Sequence, residues 1–369
     1  MFCTELIIIE IVLFLYAHIY PNIKENIGKK ALNILFLILY SVIIANRPIK
    51  IPDQESYKWV FDIINPYGKY GFDPLGELFS VEYGYLYFIK IFKHFSNNII
   101  FFYFILSFFT VLFFVVGAKL ILSDLGINFV NIPILLLLYI SYYGTYYGAI
   151  ACRQALEISL GVFSLGCIVS KRYKTGILSL LLGFTFHRFA ILLIIVIFIY
   201  LFFNKSVSRK AYYITIFLAI VLLAISSTGI LNNLLMKYIP RFIAPFSGSY
   251  YGYFRANLEG STHLALVNVY VCIVGIIVLQ LSTSVPKMYK LMNIYFAGII
   301  ISIILNTLKG SARIYDHFTV FSIIMLSTCY YTNGLTTDNR SVTVRLNNIL
   351  IIFILIINNF LFINVVGWL

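Results

Sequence analysis

Charge is what this chain has least of. Only 11% of its 369 residues are charged, 61% are hydrophobic and mean hydropathy is +0.94. A soluble domain needs a charged shell, and no stretch long enough to form one can be cut from this sequence. That excludes the cytosolic enzyme classes and predicts an all-α fold: one polytopic helical membrane domain over residues 1–369.

Recognisable chemistry is also scarce. No glycine-rich phosphate loop, no dinucleotide fingerprint after a strand, no HExxH and no histidine pair at ligand spacing occurs. The paired aspartates of a metal-dependent nucleotide-sugar transferase are missing too. Cysteines Cys3, Cys152, Cys167, Cys272 and Cys329 stand singly, so they read as small core residues and neither a disulfide framework nor a metal set. No metal and no cofactor is therefore expected. The formal charge of +13 would suggest a nucleic-acid partner in a soluble protein. Here it reads as membrane topology, and no nucleic-acid partner is expected. The opening MFCTELIIIEIVLFLYAHIYP has neither a basic leader nor a cleavage site, and reads as a first helix.

What the chain does have is apolar runs. They lie near residues 5–20, 31–46, 99–120, 129–147, 152–170, 175–187, 189–203, 211–228, 264–281, 288–306, 314–331 and 349–367, and predict about twelve membrane helices. The turns at 21–30, 119–128, 171–174, 204–210, 282–290 and 331–348 then share a lysine-rich side, which the positive-inside rule makes cytoplasmic. Arg47, Arg153, Arg188, Arg241, Arg255 and Arg313 fall on the other side. Guanidinium offers five donors in a fixed fork, so arginines gathered on one face read either as a site for a phosphate-bearing ligand or as ordinary loop charge. Two outer segments are long. Residues 46–98 contain, at 81–95, a short basic piece expected to be an interfacial or re-entrant amphipathic helix. Residues 229–263 are rich in aromatics around Arg241 and Arg255.

The stretch 139–188 concentrates the unusual residues. An apolar run from 154 to 170 reaches the basic turn SKRYKT, and the chain returns over residues 175–187, roughly 20 Å of helix against a hydrocarbon core of about 30 Å. His187 and Arg188 should thus lie recessed, on the same side as Arg153. An ionisable group at that depth must face protein or a water-filled cavity, since exposure to lipid costs several kcal/mol, on the order of 2.5 or more. Arg153 with Gln154 can hold phosphate oxygens or merely anchor a helix end. Glu157, one turn on, is placed to pair with Arg153. His187 can serve as base or as hydrogen-bond donor. Further candidates are Asp53 with Tyr57 four residues on, Glu82, and Arg313, Asp316 and His317 on one face of RIYDHF, where an internal Arg-Asp pair is the plainer reading. The tyrosines of 139–147 suit an aromatic belt.

Taken in order, Asp53, Tyr57 and Phe61, then VEYGYLY from Glu82 to Tyr87, RQALEIS from Arg153 to Ser159, FHRFAI from Phe186 to Ile191, and a late RIY from Arg313 resemble the EpsG family, related in role to the Wzy O-antigen polymerases. The resemblance implies a bacterial inner-membrane glycosyltransferase of GT-C type. Such an enzyme joins undecaprenyl-diphosphate-linked repeat units at the periplasmic face without nucleotide sugar or metal, with chain length set by a separate regulator protein. Taken together with the charge reading above, the candidates are His187, Arg153, Asp53 and Asp316 for catalysis, and Arg188, Arg241, Arg255, Arg313, Gln154, Tyr57 and Glu82 for substrate binding. Two other classes compete. A flippase for the same lipid-linked unit would show two related halves and basic residues through both leaflets. A membrane O-acyltransferase would need its histidine on the cytoplasmic side.

Overall fold

The computed structural model describes residues 1–22, 26–67, 82–127, 130–203, 205–226, 266–281, 287–304, 312–328 and 337–367, and every element among them is helical. This is the outcome the composition dictates, because a backbone in hydrocarbon must satisfy its own hydrogen bonds. Five helices are long and apolar enough to span a membrane: Phe2–Ile19, Ile27–Ala45, Ile99–Asp124, Cys152–Val169 and Asn347–Val366. Shorter apolar helices cover Tyr173–Phe186, Ile191–Phe202, Asn268–Gln280 and Tyr289–Ile304. The chain is a multi-pass membrane protein.

Two of the expected runs are broken. The run at 129–147 forms a helix over Ile132–Tyr139, a π-helical turn over Ile140–Gly144 and a last short helix over Thr145–Ala149. The run at 314–331 divides into Ala312–Thr319 and Phe321–Ser327. Hydropathy marks an apolar run without marking where its ladder is interrupted, so both read as single spans.

By contacts, Met1–Leu193 together with Leu326–Leu369 make one compact unit, and Ile194–Met325 make another. In the first, the tightest approach joins α5 (Ile99–Asp124) to α8 (Cys152–Val169). A methyl group added at Gly117 would lie 2.6 Å from the backbone of Phe163, and one at Gly166 would lie 2.6 Å from the carbonyl of Gly117. Small residues here let two membrane helices touch backbone to backbone, where packing replaces the absent hydrophobic drive. Gly117→Ala is accordingly expected to cost about 1–3 kcal/mol through overpacking, because the obstructing atoms are main chain. Heating the detergent-solubilised protein and following its monodisperse fraction would measure this; an unchanged midpoint would deny the contact.

Helix α9 (Tyr173–Phe186) folds back on α8, tied by the Ser164 hydroxyl donating to the Gly176 carbonyl at 2.7 Å. The tyrosine segment turns inward. Tyr139, Tyr143 and Tyr147 are buried, and only Tyr142 and Tyr146 are half-exposed, so the stretch is largely core where a surface belt was expected. The Tyr40 hydroxyl donates to the Gly144 carbonyl at 2.6 Å inside the π turn, and Asn358 donates to Ser141 at 2.8 Å.

In the second unit, Tyr295 donates to the Val271 carbonyl at 2.7 Å and Tyr212 to Asn293 at 2.5 Å. A methyl group at Gly298 would lie 2.7 Å from Phe318, so Tyr289–Ile304 and Ala312–Thr319 are also in close contact.

Candidate functional site

Two short amphipathic helices build one wall of the site. In α3 (Gln54–Ile63) the residues Gln54, Tyr57, Val60 and Phe61 are buried, and in α4 (Tyr83–Lys93) Tyr85, Leu86, Ile89 and Phe92 are; both sets follow helical spacing. The apolar faces meet over Phe102 of α5, whose ring lies 5.4 Å from Phe61, 6.0 Å from Tyr85 and 5.3 Å from Phe92. Lys93 donates to the carbonyls of Phe61 at 2.8 Å and Ile64 at 2.7 Å, closing the end of α3. Burial pushes this ammonium down, opposed by Asp62. The piece expected to lie at the interface is therefore a helix with its apolar face on protein.

The start of α8 is fixed by a polar staple. Arg47 donates from Nε to Gln54 Oε1 at 2.5 Å, and Gln54 donates onward to the Ala149 carbonyl at 2.5 Å, the end of the tyrosine segment. The guanidinium of Arg47 also lies 3.6 Å from the centre of the Tyr103 ring. Ala151 leaves helical geometry at φ −112, ψ 58, and Cys152 restarts the helix. Arg153 then falls in its first turn.

Arg153 forms an ion pair with the buried carboxylate of Glu82, 71 residues away. Its guanidinium is 5.6 Å from the ring centres of both Tyr57 and Tyr85, and its Nε is buried without a hydrogen-bond partner, as is Nη2 of Arg47. Burial, foremost, pushes the Tyr57 phenol up to about 12, so it remains a hydrogen-bond donor at any physiological pH. Burial likewise raises Tyr85 well above the usual phenol range.

The expected pairing of Arg153 with Glu157 is not made. Arg153 reaches across to Glu82, and Glu157, fully buried one turn along α8, lies with Oε2 4.0 Å from Nδ1 of His187. That separation is too long for a hydrogen bond between these two atoms. His187 ends α9 in extended conformation, φ −158, ψ 129, is buried, and accepts from the Phe189 amide at 3.4 Å.

Three of the residues singled out from sequence thus meet: Arg153, Glu82 and Tyr57; Gln154, next along α8, is buried. His187 and Glu157 form a separate pair where α9 packs on α8. Asp53 precedes α3 at a left-handed φ of 67 and is exposed, acting on the inward-turned Tyr57 through its charge. Arg188 opens the turn Arg188–Ala190, and its side chain lies outside the described residues. Arg241 and Arg255, with the whole of the 229–263 loop, also lie outside them. Arg313, Asp316 and His317 belong to the second unit. There all three lie on the helix Ala312–Thr319, with Asp316 and His317 buried, Arg313 half-exposed and Asp316 accepting from Thr319 at 3.0 Å.

Gln54, Tyr85 and Tyr103 were not anticipated. Only Tyr85 carried a signal, its place two residues before Tyr87 in VEYGYLY. A guanidinium with one carboxylate and an unfilled Nε, ringed by phenols, can take a further anion. Among the described residues no group of metal-ligating side chains occurs. The family model of EpsG matches residues 29–368, nearly the whole chain. No curated protein and no solved structure matches.

Proposed function

Since the chain belongs to the EpsG family, a Wzy-like polymerase family, we propose that it polymerises a bacterial surface polysaccharide from undecaprenyl-diphosphate-linked repeat units. The reaction takes place at the periplasmic face of the inner membrane, in a chain of about twelve spans and GT-C-like architecture. The observation that carries the reading is Arg153, held by Glu82 and flanked by Tyr57 and Tyr85 at the start of a membrane helix. A glycosyl transfer from a lipid diphosphate breaks the bond between the sugar and the phosphate oxygen, forms a bond to an acceptor hydroxyl oxygen, and moves one proton from that hydroxyl to a base. Negative charge grows on the departing diphosphate. Arg153 and the Tyr57 phenol supply donors for that charge without metal. His187, near the Glu157 carboxylate, takes the proton.

Deleting the gene tests this directly. Cells should then display surface polysaccharide of one repeat unit, with transfer to its final anchor intact. Loss of every unit would instead assign the protein upstream, to moving the lipid-linked unit across the membrane.

A further inference from the structure

Between α4 and α9 runs a trough of about 590 Å³. Its walls include Tyr83, Tyr87, Ile91, Leu182 and Phe184, all exposed, so it opens on the apolar surface that the acyl chains cover. Where Gly84 lines it, a methyl group would lie 2.6 Å from the Thr185 carbonyl, so the two helices meet there backbone to backbone. Glu82, the carboxylate that holds Arg153, lines the trough, and so does Phe186, the neighbour of His187. An apolar trough that ends at Glu82, the carboxylate paired with Arg153, fits a long chain whose anionic head takes that carboxylate's place on the guanidinium.

Resting on the polymerase reading above, we propose that this trough seats the isoprenoid chain of the lipid-linked donor and delivers its diphosphate to Arg153. Moving a chain from bilayer to trough gains no hydrophobic free energy, because lipid is as apolar as the walls. Affinity therefore comes from the head on Arg153, and the trough contributes fit and direction. Glu82 keeps the buried guanidinium neutralised while the trough is empty, and gives way to the diphosphate when it fills, so Arg153 never stands as an unpaired charge.

The test places a photo-crosslinking amino acid at Ile91, inside the trough, or at Leu178, exposed on α9 but outside it. The full-length protein is held in vesicles of phosphatidylethanolamine and phosphatidylglycerol doped with radiolabelled undecaprenyl diphosphate. Labelling is expected from Ile91 and not from Leu178, and should fall about tenfold or more with Arg153→Ala. Crosslinks to phospholipid alone, or labelling indifferent to Arg153, would make the trough a seat for bulk lipid and overturn the proposal. In cells, Leu182→Trp fills the trough from an exposed position and should shorten the polysaccharide at unchanged protein level. Normal chains in Leu182→Trp with Arg153→Ala devoid of them would remove the trough and leave the polymerase intact. Gene deletion that leaves chain length untouched would remove both.

Discussion

Arg153→Ala is expected to eliminate long polysaccharide, and restoring the protein's stability should not bring it back. The side chains of Arg153 and Glu82 are 21% and 5% exposed, so each single truncation strands a largely buried charge. Losing one partner of such a pair costs about 3–5 kcal/mol, with the lower end appropriate to the partly open Arg153. Glu82→Ala and Arg153→Ala should both reduce the protein recovered in the membrane. The double variant lacks both charges and should regain most of that loss. Activity follows a different pattern, because removing a donor that meets transition-state charge costs about 10²–10³ in turnover. The double variant should therefore be abundant and inactive. Arg153→Lys keeps the charge and loses the fork, and should stay well below wild type. The paired readouts are immunoblot of membranes and polysaccharide length by gel; long chains in the double variant would reduce the ion pair to a structural tie.

Arg153 and His187 were legible in the sequence for one physical reason: an ionisable group in an apolar run is costly unless something compensates it, so its presence asks for a function. The compensating group was not legible. Local geometry offers Glu157 at i+4, but a residue in the first turn of a helix projects beyond it, and α4 brings Glu82 to that point from 71 residues away. The same gap between local and long-range information hid the staple from Arg47 through Gln54 to Ala149, whose last link spans 95 residues. It also hid the π turn, which depends on a tyrosine hydroxyl 104 residues distant. Membrane class and most helix positions could be read because hydrophobicity is a property of each segment alone. Spacing put Asp53 on the face of Tyr57 on condition that the loop begins a helix there; Asp53 in fact stands just before the first helical turn, at a left-handed φ, where helical periodicity does not yet apply.

His187→Ala should likewise abolish polymerisation, and the conservative variants decide why. A side chain that moves a proton in the transition state contributes about 10²–10⁴ in rate. His187→Gln preserves hydrogen-bonding capacity and much of the shape but cannot carry the proton, so it should be as inactive as the alanine variant. Partial recovery in glutamine would mean that the imidazole only positions substrate. Glu157 touches no substrate in this scheme and acts through His187, 4.0 Å away, both side chains being buried. A full charge at that distance matters in a low-dielectric interior, where its interaction is several times that in water. Glu157→Gln removes the charge with little change in volume and should therefore reduce turnover without matching the loss in His187→Ala, and should add nothing when combined with it. The measurement is polymer formed from purified lipid-linked units by each variant at equal protein, across a range of pH. Additive losses in Glu157→Gln/His187→Ala would show that the carboxylate serves the fold independently of the histidine.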